Sequence, residues 1–398
     1  MEVLEAERGR LLDFAEASLH PAGGFAWLDD RGRPRPERGL PTYLTARMTH
    51  VFALGALEGR VGADALAAHG VDSLRGPLLD AGYGGWCTSL SAGLAPSDPS
   101  KRAYTHAFVV LAAGSAAAAG VPGAADLFDV ALDLMEKRFL DAEGRVVDGY
   151  DRAFTSADTY RGANSSMHTV EALLVAGDVR GEPRWHDLAL GIAGHLVHDV
   201  ARAHRYRLPE HYSTGWEALP DYNRDSPLDQ FRPYGSTPGH LLEWSRLLLH
   251  LEASLAAPPS WLLADSVGLF DGAVESGWDV DGRPGFVYTT DWEDRPVVRS
   301  RMHWVQAEAI AAASALHRRT REPAYDAWFR TWWDFAEQHM VDRELGSWHH
   351  ELDETNRPAA TVWYGKPDVY HAYQAALLPR CELSPSLAVQ LARAATSA

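Results

Sequence analysis

The chain has 398 residues, 46% of them hydrophobic and 23% charged, which is enough apolar material for a core that stands without disulfides. A formal charge of −17 argues against nucleic acid or an anionic membrane surface as partner. With only Cys87 and Cys381, a disulfide framework and a four-cysteine zinc site are both excluded, and two buried thiols in a reducing compartment are expected.

The first residues, MEVLEAERGRLLDFAEASL, carry acids and no uninterrupted apolar run, so they read as neither a signal nor a transit peptide. No later stretch approaches the roughly 20 apolar residues that cross a bilayer. The frame is a soluble, cytoplasmic protein made of one domain, residues 1–398, with its oligomeric state, monomer or homodimer, left open.

Along the chain, two kinds of helical segment alternate. The first kind is amphipathic, with apolar residues at i, i+3, i+4 and i+7 and a charged opposite face. It covers 7–19, 125–140, 184–201, 259–278 and 323–340, with a less marked copy near ADALAAHGVDSL. The second kind is rich in alanine and leucine on most sides and carries a histidine. Its copies are 44–58, 102–117, 165–179, 237–251, 301–316 and 370–380, with His50, His106, His168, His240, His303 and His371 separated by 56 to 72 residues. Half-buried outer helices alternating with buried inner ones describe an all-α protein, a closed ring of six helical hairpins, the (α/α)6 barrel.

Long loops precede the inner helices and carry aromatic, strand-like hairpins: YGGWCTSLSAG, GFVYTTDWEDRPVVRSR and SWHHELDETNRPAATVWYGKPD. Loops of that length in a compact domain tend to be functional. Trp86, Trp292, Trp348 and Trp363 within them suit the apolar faces of a sugar, with loop packing as the competing role for about half of them.

Buried helices carry ionisable pairs when those groups partner one another or face a cavity. The i, i+3 spacing gives His168 with Glu171, His240 with Glu243, Arg47 with His50 and His303 with Gln306. Thr237 as N-cap and Pro238 at the first helical position put His240 in the first turn, at the positive end of its helix. Imidazoles suit proton transfer beside a carbonyl, with Arg47 and helix N-termini meeting the charge of an enediolate and Glu243 orienting His240. No HExxH, Walker loop or G-x-S-x-G elbow is present. A metal held by His168, His240, His303 or His371 with a carboxylate stays open, as does a glycosidase pair drawn from Asp151, Asp221 and Asp225.

TARMTHVFALGAL, KRAYTHAF, NSSMHTVEA, EHYSTGWEALPDYNRD, GSTPGHLLEWSRLLL and GKPDVYHAYQA together resemble the N-acylglucosamine 2-epimerase superfamily, and within it the branch of mannose and sulfoquinovose isomerases. The similarity runs from about residue 25 to 380. It implies an (α/α)6 barrel working without metal or cofactor on a small-molecule monosaccharide through a cis-enediolate. By TPGHxxEW and KxDxYH it assigns the acid–base pair to His240 and His371, and it places Arg47, Tyr104, Asn164, His168, Glu243, Trp304, Glu308 and Asp368 around the sugar. Gln230 and Pro367 stand where the sulfoquinovose isomerases carry arginine and glutamine, which favours a neutral hexose, mannose with fructose, and the pentose pair lyxose and xylulose. A 2-epimerase, a sulfo-sugar isomerase and a non-catalytic binding protein are the alternatives.

Overall fold

All six histidine-bearing segments fold as helices, and four of them pack on the amphipathic helix that follows in sequence. The structure, a computed structural model, describes residues 2–397. Its contacts divide the chain into two units. One comprises Gly9–Ile192, Pro367–Tyr370 and Ser384–Ala398; the other comprises Met1–Arg8, Ala193–Lys366 and His371–Leu383.

In the first unit the inner helices are α2 (Thr42–Leu57), α4 (Ala103–Ala118) and α6 (Ala163–Arg180), with α2 packed on α4 and α4 on α6. The outer helix α3 (Ala63–Arg75) lies on α2 and α5 (Ala124–Leu134) on α4, while α7 (Arg184–Ala193) runs to the end of the unit. The faintest helical segment of the sequence, ADALAAHGVDSL, is therefore a full helix. Helix α13 (Leu387–Ser397), absent from the sequence reading, packs on α2 and α4. In the second unit, α8 (Pro238–Ser254) packs on the outer helix α9 (Trp261–Gly277) and on α10 (His303–Thr320), which pairs with α11 (Pro323–Phe335). Helix α12 (Tyr370–Leu377) begins at the unit boundary, as α1 (Glu2–Ala15) crosses it.

Burial follows the pattern of the sequence. Helix α4 is buried from Ala103 to Ala116 except for Tyr104, because nearly every side chain on it is small or apolar. Helix α11 buries only Tyr325, Trp332, Trp333 and Phe335, spaced for one face. The loops before the inner helices hold short antiparallel pairs, Ser89–Leu90 with Pro96–Asp98 and Thr289–Thr290 with Pro296–Val298. Trp86 and Trp348 are wholly buried and tie their loops down, donating to Leu74 O at 2.8 Å and to Glu7 Oε1 at 2.9 Å.

One device recurs where an outer helix hands over to the next inner one. An acid in the turn after the outer helix meets a buried cation just ahead of the inner helix. Lys101 Nζ lies 2.8 Å from Asp80 Oδ2 in the first unit. In the second, Arg301 meets Asp281 at 2.7 Å and Lys366 meets Asp342 at 2.6 Å. Lys101 and Lys366 have no solvent exposure, so each pair must be complete to be tolerated. Hydrogen bonds from Arg152 and Lys101, opposed by burial, hold the Asp80 carboxyl well below the usual carboxylate range.

Asp80→Ala would leave the Lys101 ammonium buried without its carboxylate and should cost about 3–5 kcal/mol in urea unfolding. Because the folded-state value of Asp80 is depressed, its contribution is present above the ordinary carboxylate range and is lost as pH falls toward the folded-state value. An unchanged unfolding midpoint in the variant would show that the pair is neutral for stability.

Candidate active site

In the second unit the first turns of three inner helices carry the chemistry. His240 is the third residue of α8, Trp304 the second of α10 and His371 the second of α12. All three are nearly buried, at 8%, 8% and 4% exposure. The indole stands between the two imidazoles, its centroid 5.0 Å from His240 and 5.9 Å from His371. Its place depends on Gly239, where a Cβ would come within 2.5 Å of Trp304 Cζ3. Pro238 opens α8 as expected, but Thr237 makes no side-chain cap, and its Oγ1 is a buried atom without a hydrogen-bond partner.

Each imidazole has a carboxylate at Nδ1. His371 Nδ1 is 2.8 Å from Glu308 Oε1, while Glu308 Oε2 accepts from Arg246 Nε at 2.9 Å. An ionised carboxylate only accepts, so with Glu308 ionised the proton sits on Nδ1 and the lone pair on Nε2. The carboxylate at His240 is that of Glu210, with Oε2 2.9 Å from Nδ1, although off the line of a well-formed hydrogen bond. Glu243, the helical neighbour expected there, is instead ion-paired with Arg246 at 3.6 Å. Local spacing pointed to Glu243; Glu210 lies just ahead of the short strand His211–Tyr212 in the loop before α8, which no helical periodicity reaches.

The first unit gathers a second set. Arg47 donates to Tyr104 Oη at 2.8 Å and meets Asp368 Oδ2 at 3.3 Å. Its guanidinium lies over the rings of Phe108 at 4.4 Å and Tyr370 at 4.8 Å, and its Nε is buried without a hydrogen-bond partner. His168 Nδ1 is 3.2 Å from Glu171 Oε2, the spacing read from sequence, and that oxygen also accepts from Tyr370 Oη at 2.5 Å. Asn164, on the first turn of α6, has a buried Oδ1 with no hydrogen-bond partner. Arg47 and His50 do not form the pair their spacing indicated.

The remaining histidines divide differently. His50 lies two turns into α2 with Nδ1 2.7 Å from Ser115 Oγ, and burial pushes it down to about 4. His106 bridges the Trp86 amide at 3.2 Å and the Arg102 carbonyl at 2.7 Å, and burial takes it down to about 3. Both are neutral core residues. His303 stacks on His350 at 3.6 Å and stands edge-on to His371 at 6.3 Å. Asp151 and Asp221 are exposed, the first bonded within its own turn to Thr155 and the second to Arg224 at 3.1 Å, so neither is a buried hydrolytic acid.

Glu243, Glu308 and His371 offer ligand atoms within 4.8 Å of one another, the spacing of a metal site. The donor set fits poorly, because Arg246 already meets both carboxylates and Glu308 is bonded to His371. A divalent ion there would have to work against the guanidinium.

The sequence model of the N-acylglucosamine 2-epimerase (GlcNAc 2-epimerase) family matches residues 23–375. The chain is 54% identical to the D-mannose isomerase of Thermobifida fusca over 391 residues, covering 98% of this chain and 96% of that one. It is 48% identical to the D-mannose isomerase of Pseudomonas cannabina pv. alisalensis over 394 residues, covering 98% and 94%. A crystal structure of a D-mannose isomerase superposes with a TM-score of 0.87 at 30% identity, covering 94% of this chain and 96% of its own. The cellobiose 2-epimerase of Spirochaeta thermophila shares the fold, with a TM-score of 0.81 at 22% identity over 99% and 98%. The fold class is thus the (α/α)6 barrel of these sugar epimerases and isomerases.

Gly239→Ala forces Trp304 from between the two histidines. It should destabilise the protein by about 1–3 kcal/mol and lower sugar turnover at saturating substrate at least ~10-fold. A stability loss with unchanged turnover would show that the position of the indole is immaterial to the chemistry.

Proposed function

The chain belongs to the N-acylglucosamine 2-epimerase family, and on that premise we propose that it is an aldose–ketose isomerase interconverting D-mannose and D-fructose, and D-lyxose and D-xylulose, without a metal. The observation that carries this reading is the pair of carboxylate-bound imidazoles, His240 and His371, flanking Trp304. The names of the relatives at 54% and 48% identity supply the sugar.

In the proposed reaction His240 opens the pyranose, moving the O1 proton to the ring oxygen. His371 Nε2 then removes the proton from C2, giving a cis-enediolate, and returns it to C1 on the same face. Proton transfer from O2 to O1 leaves the carbonyl at C2, so the sugar's atoms and electrons balance with no external oxidant. The imidazolium formed at His371 is compensated by Glu308, which Arg246 holds in place. Trp304 offers an apolar face to the ring carbons. Glu243, beside Arg246, sets that guanidinium; Arg47, Tyr104, Asn164, His168 and Asp368 are proposed as sugar-binding residues on the family resemblance of their motifs alone. Two free buried thiols agree with action in the cytoplasm; that residues 1–398 act as one catalytic domain is part of the same proposal.

An epimerase reading uses the same two bases on opposite faces of C2. The sulfo-sugar reading is weaker, since Gln230 brings no charged donor for a sulfonate.

The test is EDTA-treated protein incubated in deuterated water with mannose, glucose, N-acetylmannosamine and sulfoquinovose separately. Fructose from mannose ahead of the others supports the assignment; deuterated glucose with no ketose would make the chain an epimerase, and turnover only on adding a divalent ion would sink the metal-free mechanism. His371→Ala should abolish deuterium entry at C2, a loss of about 10²–10⁴-fold or more. Retained exchange would move the base to another residue.

A further inference from the structure

Resting on the isomerase reading, we propose that Glu210 is the positioning residue of His240: it pins the Nδ1–H tautomer and compensates the charge that the ring acquires when it takes up the sugar's proton.

Glu210 lies in a short buried run, Leu208 to Tyr212, whose members are all nine-tenths or more out of solvent. The next residue fixes the backbone, with His211 Nε2 2.7 Å from Pro233 O and its ring 4.5 Å from Tyr222. Burial holds His211 below its ordinary value, so it stays neutral and cannot serve as counter-charge to Glu210. Among the described residues no lysine or arginine lies within ion-pair distance of Glu210. Its Oε2 faces His240 Nδ1 at 2.9 Å, and its Oε1 is buried with no hydrogen-bond partner.

A carboxylate 4% exposed and lacking a cation is costly unless something nearby meets its charge. The group in reach is the His240 ring. This is where the two pairs differ. Glu308 divides its oxygens between His371 and Arg246, so its charge is already met before the ring titrates. Glu210 has the ring alone. The same asymmetry suits different tasks: His371 exchanges a proton with carbon, whereas His240 has to become an imidazolium in order to hand a proton to the ring oxygen. The off-line geometry at 2.9 Å fits a pair that aligns when sugar binds, as catalytic hydrogen bonds commonly do.

The experiment compares Glu210→Gln, which keeps shape and removes charge, with Glu210→Ala, thermal melts confirming that each is folded. Glu210→Gln should lower kcat on mannose about 100-fold while KM stays within ~3-fold. Glu210→Ala should regain turnover on addition of formate, a carboxylate small enough to enter the space, and Glu210→Gln should not. In ¹⁵N spectra of the histidine-labelled protein the His240 Nδ1–H tautomer should dominate in the wild type and be lost in Glu210→Gln. A Glu210→Gln enzyme within 2-fold of wild-type kcat, or a folded Glu210→Ala enzyme that formate does not rescue, would overturn the proposal. If the wild type turns over no sugar, the isomerase reading falls, and the tautomer spectra decide the role of Glu210 separately.

Discussion

The site in the second unit depends on one chain of charge: Arg246 on α8, Glu308 on α10 and His371 on α12. These groups are 2–4% exposed, inside helices otherwise packed with leucine and alanine. At that depth no water is at hand to solvate a stray charge, so each must be met by the next. The consequence is geometric. Once Arg246 fixes Glu308 and Glu308 fixes Nδ1 of His371, the opposite nitrogen can address only one place. A buried network that must be complete to be tolerated is also one that holds a reactive group to a defined orientation.

The same rule explains why histidines recur along the chain yet do different work. His50 and His106 sit in surroundings that disfavour the charged ring, and they bond neutral partners, a hydroxyl, an amide and a carbonyl. His371, His240 and His168 each have a carboxylate at Nδ1. A buried imidazole with only neutral partners is a packing element; one with a carboxylate has a means of carrying a proton. The acid–cation pairs at the helix handovers obey the rule as well, anchoring the loops that lead into α4, α10 and α12.

Fold and chemistry are separable here. The crystal structure of a D-mannose isomerase and that of a cellobiose 2-epimerase match the chain over nearly its whole length, although the second shares only 22% identity. The scaffold of alternating helices is therefore compatible with sequences that have diverged widely, and the fold by itself does not set the reaction.

The sequence alone determined the alternation of buried and amphipathic helices, and with it the fold class, because helical periodicity and burial are recorded residue by residue in local composition. It also held His168 with Glu171, three residues apart on one helix face, and the family motifs marked His240 and His371. What it could not hold were the partners that decide what those rings do. Arg47 meets Asp368 across 321 residues, Arg246 meets Glu308 across 62, and Glu210 reaches His240 from a loop. For Arg47 and His240 local spacing named a nearer residue, His50 and Glu243 respectively, and the packing of distant segments overruled it. Helix geometry fixes only neighbours three and four residues away, whereas a buried charge is met by whichever group the tertiary fold brings within about 3 Å.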